Sequence, residues 1–378
     1  MSDRKLASIE KIISLEPIKG KDRIELATIL GWHCIVGKEE FKVGDYVVYC
    51  QYDTLLPIKP EFEFLRNRCY SKKFDGMRIR NMKMAGVYSE GIVFKVKDIK
   101  DLDALSEKQL YEGKDVSEII GVQKYDIESL EEVEKAKVSR NPIIKYLMRY
   151  KWFRKWIGNR KPKYGYPEGV HKANETNIQV IFNRLKDKDL LYYKSEKLEG
   201  QACTYLVTNK GRFMVFSHNV GLPKSNNNWW RIAEKFNIER KIKNFMKLYD
   251  VNEMYIGGEI IGPGIQRNIY GLNDLDMYIY NIISLDNNRV ENKIFGLNDM
   301  RLFCNVTGLK MVPVLEENVK LLESSDAILE DCEGESIFNS SVKGLREGII
   351  WRSNCGKYGF KAKSKKYQDL WNKKEKTE

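Results

Sequence analysis

The sequence predicts an α+β protein built of two domains, the first rich in β-structure and the second dominated by antiparallel sheet. Three observations predict it. The chain has 378 residues, enough for two hydrophobic cores. Short β-like runs separated by glycine-bearing turns fill residues 1–125. From residue 166 onward, helical and strand periodicities alternate.

The N-terminal strands are read from composition and turns. DRIELATILGWHCIVG (Asp22 to Gly37) fits two strands broken at Gly31. VGDYVVYC (Val43 to Cys50) is a third. IRNMKMAGVYSEGIVFKV (Ile79 to Val96) places two short runs around Gly86 and Gly91. Such spacing suggests a small barrel or sandwich.

Residues 126–165 connect the halves. DIESLEEVEK (Asp126 to Lys135) is acidic. Lys135 to Lys163 then holds eleven Lys or Arg and no acid, interleaved with Tyr146, Tyr150, Trp152, Phe153 and Trp156. Aromatic faces among cations suit stacking on bases and contact with phosphates. The same aromatics would equally serve a core.

In the second half, IQVIFNRL (Ile178 to Leu185) has the period of an amphipathic helix, and Leu190 to Thr208 reads as strand, break, strand. Asn228 to Tyr249 is helical in period. MYIGGEIIGPG and MYIYNIISL read as strands, and REGIIWRS with KYGFKAKS as a strand pair. The tail WNKKEKTE is expected to be a frayed end.

Composition limits the function. Hydrophobic residues are 42% and charged residues 31%, which excludes wholesale disorder. No run of eighteen apolar residues predicts a membrane span, and the charged MSDRKLASIEKI is unlike a signal peptide. A net charge of +12 favours polyanionic partners, nucleic acid first. The seven cysteines (34, 50, 69, 203, 304, 332 and 355) are scattered without a C-x-x-C pair. His33, His171 and His218 lie far apart. A cytoplasmic protein with reduced thiols, and neither a disulfide framework nor a zinc site, is expected.

Several side chains have the chemistry of a site. Lys197, in Lys197-Leu198-Glu199-Gly200, is a candidate nucleophile, provided its amine loses a proton; Gly200 is expected to give the turn its freedom. Glu259 and Glu347 are lone carboxylates in apolar strands, costly unless paired or metal-bound. With Glu199 they would suit a hydrated Mg²⁺; singly, each would suit a salt bridge at a strand end. Lys361 and Lys363, two apart on a strand, share a face that would clamp a triphosphate and push down the pKa of a nearby lysine. Ser217, His218 and Asn219 follow a strand. Tyr278 and Tyr280 offer an aromatic wall for a base.

The order K-x-E-G, F-S-H-N, G-G-E-I-I-G-P-G, M-Y-I-Y-N-I, R-E-G-I-I-W-R, F-K-A-K resembles motifs I, Ia, III, IIIa, IV and V of the covalent nucleotidyltransferases, which comprise ATP-dependent DNA and RNA ligases and mRNA capping enzymes. Asp22 to Pro57, Glu61 to Leu65 and Arg78 to Phe94 resemble the OB-type domain that precedes the catalytic domain in the fifth group of ATP-dependent RNA ligases. Capping enzymes and most DNA ligases carry their OB module after the catalytic domain. The resemblance implies an OB-type β-barrel (1–125), a basic aromatic linker (126–165) and an antiparallel-sheet nucleotidyltransferase, ATP-grasp-like ligase domain (166–378).

It also implies an activity: an ATP-dependent RNA ligase joining 3′-hydroxyl and 5′-phosphate ends through lysyl-AMP and adenylated RNA, sealing nicks in RNA repair. The alternatives are a DNA ligase or other covalent nucleotidyltransferase, and a binding module without catalysis. By resemblance Lys197 is the nucleophile. Glu199, Glu259 and Glu347 contact metal or ribose, and Lys361 and Lys363 the phosphates. Glu196 lines the adenine pocket, largely through its backbone. Tyr280 stacks on adenine, with Tyr278 the alternative, and Ser217 and Asn219 meet ribose or metal-bound water. ATP and Mg²⁺ (or Mn²⁺) are the implied cofactors, RNA ends or a nicked duplex the partner, and a monomer without membrane contact the state. The chain departs from the family pattern at His218 and Asn177, where arginine is usual, and at Glu199, often Asp.

Overall fold

The computed structural model describes residues 5–125, 165–166, 175–218, 220–285 and 292–377. The connector predicted at 126–165 lies outside the described residues except for Gly165. The chain divides into two compact units, Met1–Gly158 with Asn372–Glu378, and Asn159–Trp371.

The first unit is all-β in its framework. Its strands are β1 (Ala7–Pro17), β2 (Ile24–Ile29), β3 (Trp32–Gly37), β4 (Tyr46–Gln51), β5 (Thr54–Leu56), β6 (Tyr70–Ser71), β7 (Gly76–Ile79), β8 (Met82–Met84), β9 (Val87–Ser89), β10 (Gly91–Lys95) and β11 (Gln123–Lys124). One sheet runs β10-β4-β1-β2-β3 and is antiparallel throughout. Strand β1 pairs β4 with Ala7 to Lys11 and β2 from Ile12 on, with an irregularity between Ile12 and Ser14. A bulge there bends the strand and curls the sheet into a half-barrel. A second sheet runs β11-β5-β7-β6, and β8 and β9 form a hairpin. Its turn is Ala85-Gly86, both at positive φ (54° and 88°), the backbone shape of a tight hairpin. Val48, Phe62, Met77 and Phe94 share one core, and Trp32, Tyr49 and Tyr52 another.

The second unit holds two larger sheets. It contains β12 (Thr176–Asn177), α1 (Ile178–Leu185), β13 (Leu191–Glu196), β14 (Gln201–Val207), β15 (Phe213–Phe216), α2 (Asn228–Lys235), α3 (Ile238–Leu248), β16 (Glu253–Ile261), β17 (Asp276–Leu285), β18 (Asn292–Ile294), α4 (Leu297–Thr307), β19 (Lys310–Met311), β20 (Val314–Lys320), α5 (Ser325–Asp331), β21 (Gly348–Ser353), β22 (Gly359–Lys363) and α6 (Lys365–Thr377). The orders are β12-β22-β21-β13-β20 and β15-β14-β16-β17-β18. Helices α2 to α4 cover the second sheet through Ile232, Ile242, Phe245 and Phe303. Helices α1 and α5 cover the first through Ile178, Leu185 and Ile328, against Tyr192, Trp351 and Phe360. A further cluster joins Ile261, Tyr278 and Tyr280 of the second sheet to Leu198, Tyr270, Val342 and, from α6, Tyr367. No helix among the described residues is long and apolar enough to cross a membrane.

Two expectations are corrected. The helical stretch after Asn228 is two helices, because Asn237 takes a left-handed conformation (φ 51°) that ends one and starts the next. The charged tail is helical through Thr377 rather than frayed. Glu333 accepts from the Ser364 hydroxyl (2.6 Å) and the backbone N–H groups of Lys365 (2.9 Å) and Lys366 (3.3 Å), so it satisfies donors that a helix start leaves open. That acid lies far upstream, so no local signal marked the helix.

Candidate active site

The site forms where the chain leaves one sheet for the other. Strand β13 belongs to the first sheet and β14 to the second, so Lys197 to Gly200 is the crossing. The N–H of Lys197 still donates to the Gly348 carbonyl at 3.0 Å, which ties the crossing to β21. A Cβ on Gly200 would lie 2.5 Å from the Ile260 carbonyl oxygen and 2.8 Å from Glu259 Cγ. Close approach to β16, rather than turn freedom, is why this position is glycine.

The crossing brings four charged groups together. Lys197 Nζ meets Glu347 Oε2 at 2.5 Å, and Lys363 Nζ stands 3.9 Å from Glu347 Oε1. Glu347 immediately precedes β21, whose first residue, Gly348, lies opposite Lys363 on β22. In β22, Phe360 and Ala362 turn into the core while Lys361 and Lys363 lie on the other face, as the two-residue period requires. The Glu199 carboxyl stands within hydrogen-bonding reach of Glu347.

Electrostatics follow from this crowding. Burial and then the Glu347 charge push the Glu199 carboxyl up to about 8. Glu347 goes the other way: burial opposes its charge, but Lys197 and Lys363 outweigh burial and hold it below the usual carboxylate range. Two carboxylates this close do not both ionise easily. For Lys197, burial pulls the ammonium down, yet Glu347, with Glu199 and Glu259 behind it, leaves it above the ordinary lysine value. Lys363 opposes this but does not prevail, so the expected depression is not a property of the free site.

The remaining candidates divide. Glu196, 1% exposed, accepts from the Ser336 hydroxyl (2.6 Å) and the Ile337 N–H (2.9 Å), so its carboxylate fastens the segment before β21. Tyr280 and Tyr278 both pack toward the Leu198 cluster. Tyr278 meets Phe338 edge-on at 5.2 Å. Tyr280 lies 5.6 Å from the Arg352 guanidinium, and burial followed by the Glu259 charge pushes its phenol well up. Ser217 lies in a turn: its hydroxyl donates to the Val220 carbonyl (3.2 Å) and its own carbonyl accepts from the Tyr166 hydroxyl (2.7 Å). Asn219 lies outside the described residues. Asn177 is buried and paired in parallel with Lys361.

Three residues escaped the sequence reading. Arg352 is buried, forms an ion pair with Glu175 and donates to the Tyr280 carbonyl; its place at the end of R-E-G-I-I-W-R was the available signal. Tyr270 accepts from the Glu199 N–H at 2.8 Å. Tyr367 lies beside the acid pair. Nothing in the local sequence marks either tyrosine.

The acid pair fits a hard divalent cation, whose charge would relieve the repulsion between Glu199 and Glu347. Among the described residues, no group of three or more His, Cys, Asp or Glu is spaced to hold a metal unaided. Glu199, Glu259 and Glu347 are therefore not a ready cage, and further oxygens would have to come from a ligand.

A sequence model of the RNA ligase family matches residues 191–367, and one of an OB-fold domain matches residues 6–96. Residues 191–367 thus form an RNA ligase domain. The OB-fold domain precedes the ligase domain, and the chain is an RNA ligase rather than a DNA ligase. Among solved structures, a mutant of the Naegleria gruberi RNA ligase without ligand has a TM-score of 0.78 at 23% identity, covering 99% of this chain and 100% of that one. The Naegleria gruberi RNA ligase with PPi gives 0.77 at 23%, covering 100% of each chain. A mutant of it with ATP and Mn gives 0.77 at 23%, covering 98% of this chain and 99% of that one. At such identity the likeness bears on the fold of this chain.

Proposed function

We propose that the ligase joins RNA 3′-hydroxyl and 5′-phosphate ends at the expense of ATP, with Lys197 as the nucleophile. Lys197 Nζ, as the neutral amine, attacks the α-phosphorus. The P–N bond forms, the α–β P–O bond breaks and pyrophosphate leaves. An RNA 5′-phosphate oxygen next displaces Lys197, and AMP passes to the RNA. The 3′-hydroxyl then attacks the activated phosphorus, loses its proton and expels AMP. Each step is an in-line displacement that depends on positioning.

The chain's own groups share the work. Glu347 holds the Lys197 side chain in place. Lys361 and Lys363 contact phosphates. Tyr280 stacks on adenine, Glu196 borders it through its backbone, and Ser217 and Asn219 meet the ribose. Glu199, Glu347 and Glu259, with further oxygens from the ligand, would hold Mg²⁺ or Mn²⁺. When bound, the cation neutralises phosphate charge and offsets the acids that keep Lys197 protonated.

The observation that supports this reading is the 2.5 Å pair of Lys197 and Glu347, with Lys363 behind it. The relatives solved with ATP and Mn are in keeping with it. The basic segment 126–165 and the OB-fold domain would grip the RNA backbone, giving binding that weakens with salt. The task is nick sealing in RNA repair, by a cytoplasmic monomer.

Incubation with Mg²⁺ and ATP labelled at the α-phosphate, followed by denaturation, tests the chemistry. Protein-bound label is expected for the wild type and none for Lys197→Ala. Label on that variant would move the nucleophile elsewhere. RNA affinity without any label would favour a binding module.

A further inference from the structure

The C-terminal helix delivers a phenol to the acid pair. Tyr367, near the start of α6, is 2% exposed and packs with Leu198, Tyr270 and Val342. Its N–H donates to Ser364 Oγ at 2.9 Å, and the N–H of Ser364 donates to the Glu347 carbonyl at 2.9 Å. One short turn thus fastens both Tyr367 and Glu347. The Trp371 ring stacks on the phenol at 6.0 Å, which fixes its plane.

The hydroxyl at the tip is unusual. The polar groups around it are Glu199, Glu347 and Tyr270. It approaches the Glu199 carboxyl, but short of good hydrogen-bond geometry. Tyr270, by contrast, uses its oxygen to accept from the Glu199 N–H. A buried hydroxyl so poorly paired lowers stability, and phenylalanine would fill the same space without that loss. In the free site the Glu199 carboxyl is engaged with Glu347. If both carboxylates turn to a cation, that contact is lost, and Tyr367 is the donor left beside Glu199.

We propose that Tyr367 is a positioning residue of the adenylylation site, whose hydroxyl donates to the Glu199 carboxylate in the loaded enzyme and holds it toward the divalent cation. This rests on the reading of Glu199 and Glu347 as cation ligands. Tyr367 touches neither nucleotide nor RNA in this role; it acts through Glu199.

The test compares the full-length wild type with Tyr367→Phe, which keeps the ring and its packing. Mn²⁺ is titrated in the presence of AMP, which cannot react, and free Mn²⁺ is followed by its EPR signal. Tyr367→Phe should bind Mn²⁺ more weakly, on the order of tenfold, the scale of one hydrogen bond to a charged group. The Mn²⁺ concentration for half-maximal labelling by ATP should rise in parallel, while the labelling rate at saturating Mn²⁺ is largely kept. Melting without metal should occur at the same or a higher temperature than wild type. Unchanged Mn²⁺ affinity overturns the proposal, whatever the melting temperature does, and so does a wild type that binds no Mn²⁺. A wild type that binds Mn²⁺ but takes no label breaks the proposed function and leaves this comparison readable.

Discussion

Two lysines on one stretch of chain, three residues apart, have opposite fates. Lys194 points to the outer face of the first sheet, under Trp351 at 4.6 Å, and pairs with Glu316 (2.7 Å) and Asp331 (2.9 Å). Lys197 lies at the crossing from one sheet to the other and pairs with Glu347. Both have more than one acid nearby, so ion pairing alone does not mark a site. The difference is where the surplus charge sits. The Glu316 side chain is 55% exposed and Asp331 30%, so water screens them. The Glu347 side chain is 8% exposed, and Glu199, crowded against it, is pushed up to about 8. Unscreened surplus acid is what invites a cation and poly-phosphate chemistry.

The strongest way to break this comparison is to remove each lysine. Lys197→Ala should lose adenylate labelling to background while remaining folded. Lys194→Ala should keep labelling but lose about 1–3 kcal/mol in urea denaturation, since its partners are partly solvated. Labelling lost in both, at equal stability, would erase the distinction.

The acid pair sharpens it. The Glu199 carboxyl is raised from an ordinary 4.5 to about 8 in the folded protein. Between those values the folded state holds more protons than the unfolded one, so stability of the metal-free protein should fall as pH rises from 4.5 to 8. Glu347, whose value is lowered, works in the opposite sense below 4.5, where its protonation removes stability. Glu199→Gln should flatten the decline above pH 4.5 and gain about 1–3 kcal/mol at pH 8. Melting temperatures from pH 5 to 8 check this; parallel curves for the two proteins would refute it.

The smallest effect concerns the wall beside the nucleophile. Ser336→Ala removes one of the two donors on the Glu196 carboxylate and should lose about 1 kcal/mol. The KM for ATP in labelling should rise more than the maximal rate falls. A pure change of stability would place Glu196 with Lys194 among the supports.

Much of the site was legible because its parts are local. Lys361 and Lys363 alternate with buried Phe360 and Ala362, so a period of two already placed them on one face. The break between β13 and β14 was visible around Gly200, though not its cause, which is the approach of β16 from about sixty residues downstream. Asn237 divides a helical pattern that periodicity alone ran through. Tyr270 and Tyr367 were invisible as site residues, because each meets its partner across a long stretch of chain, whereas Arg352 had only its place in a motif to mark it.

The sequence by itself determined the elements, the two-part organisation and the ordered residues of the ligase motifs, since strand alternation, helix period and glycine placement are written in neighbouring positions. Tertiary structure alone decided the proton balance of the site. Which carboxylate holds its charge, which lysine is screened and which hydroxyl is left poorly paired depend on distances between segments folded from afar, and Coulomb interactions and desolvation respond to those distances rather than to order along the chain.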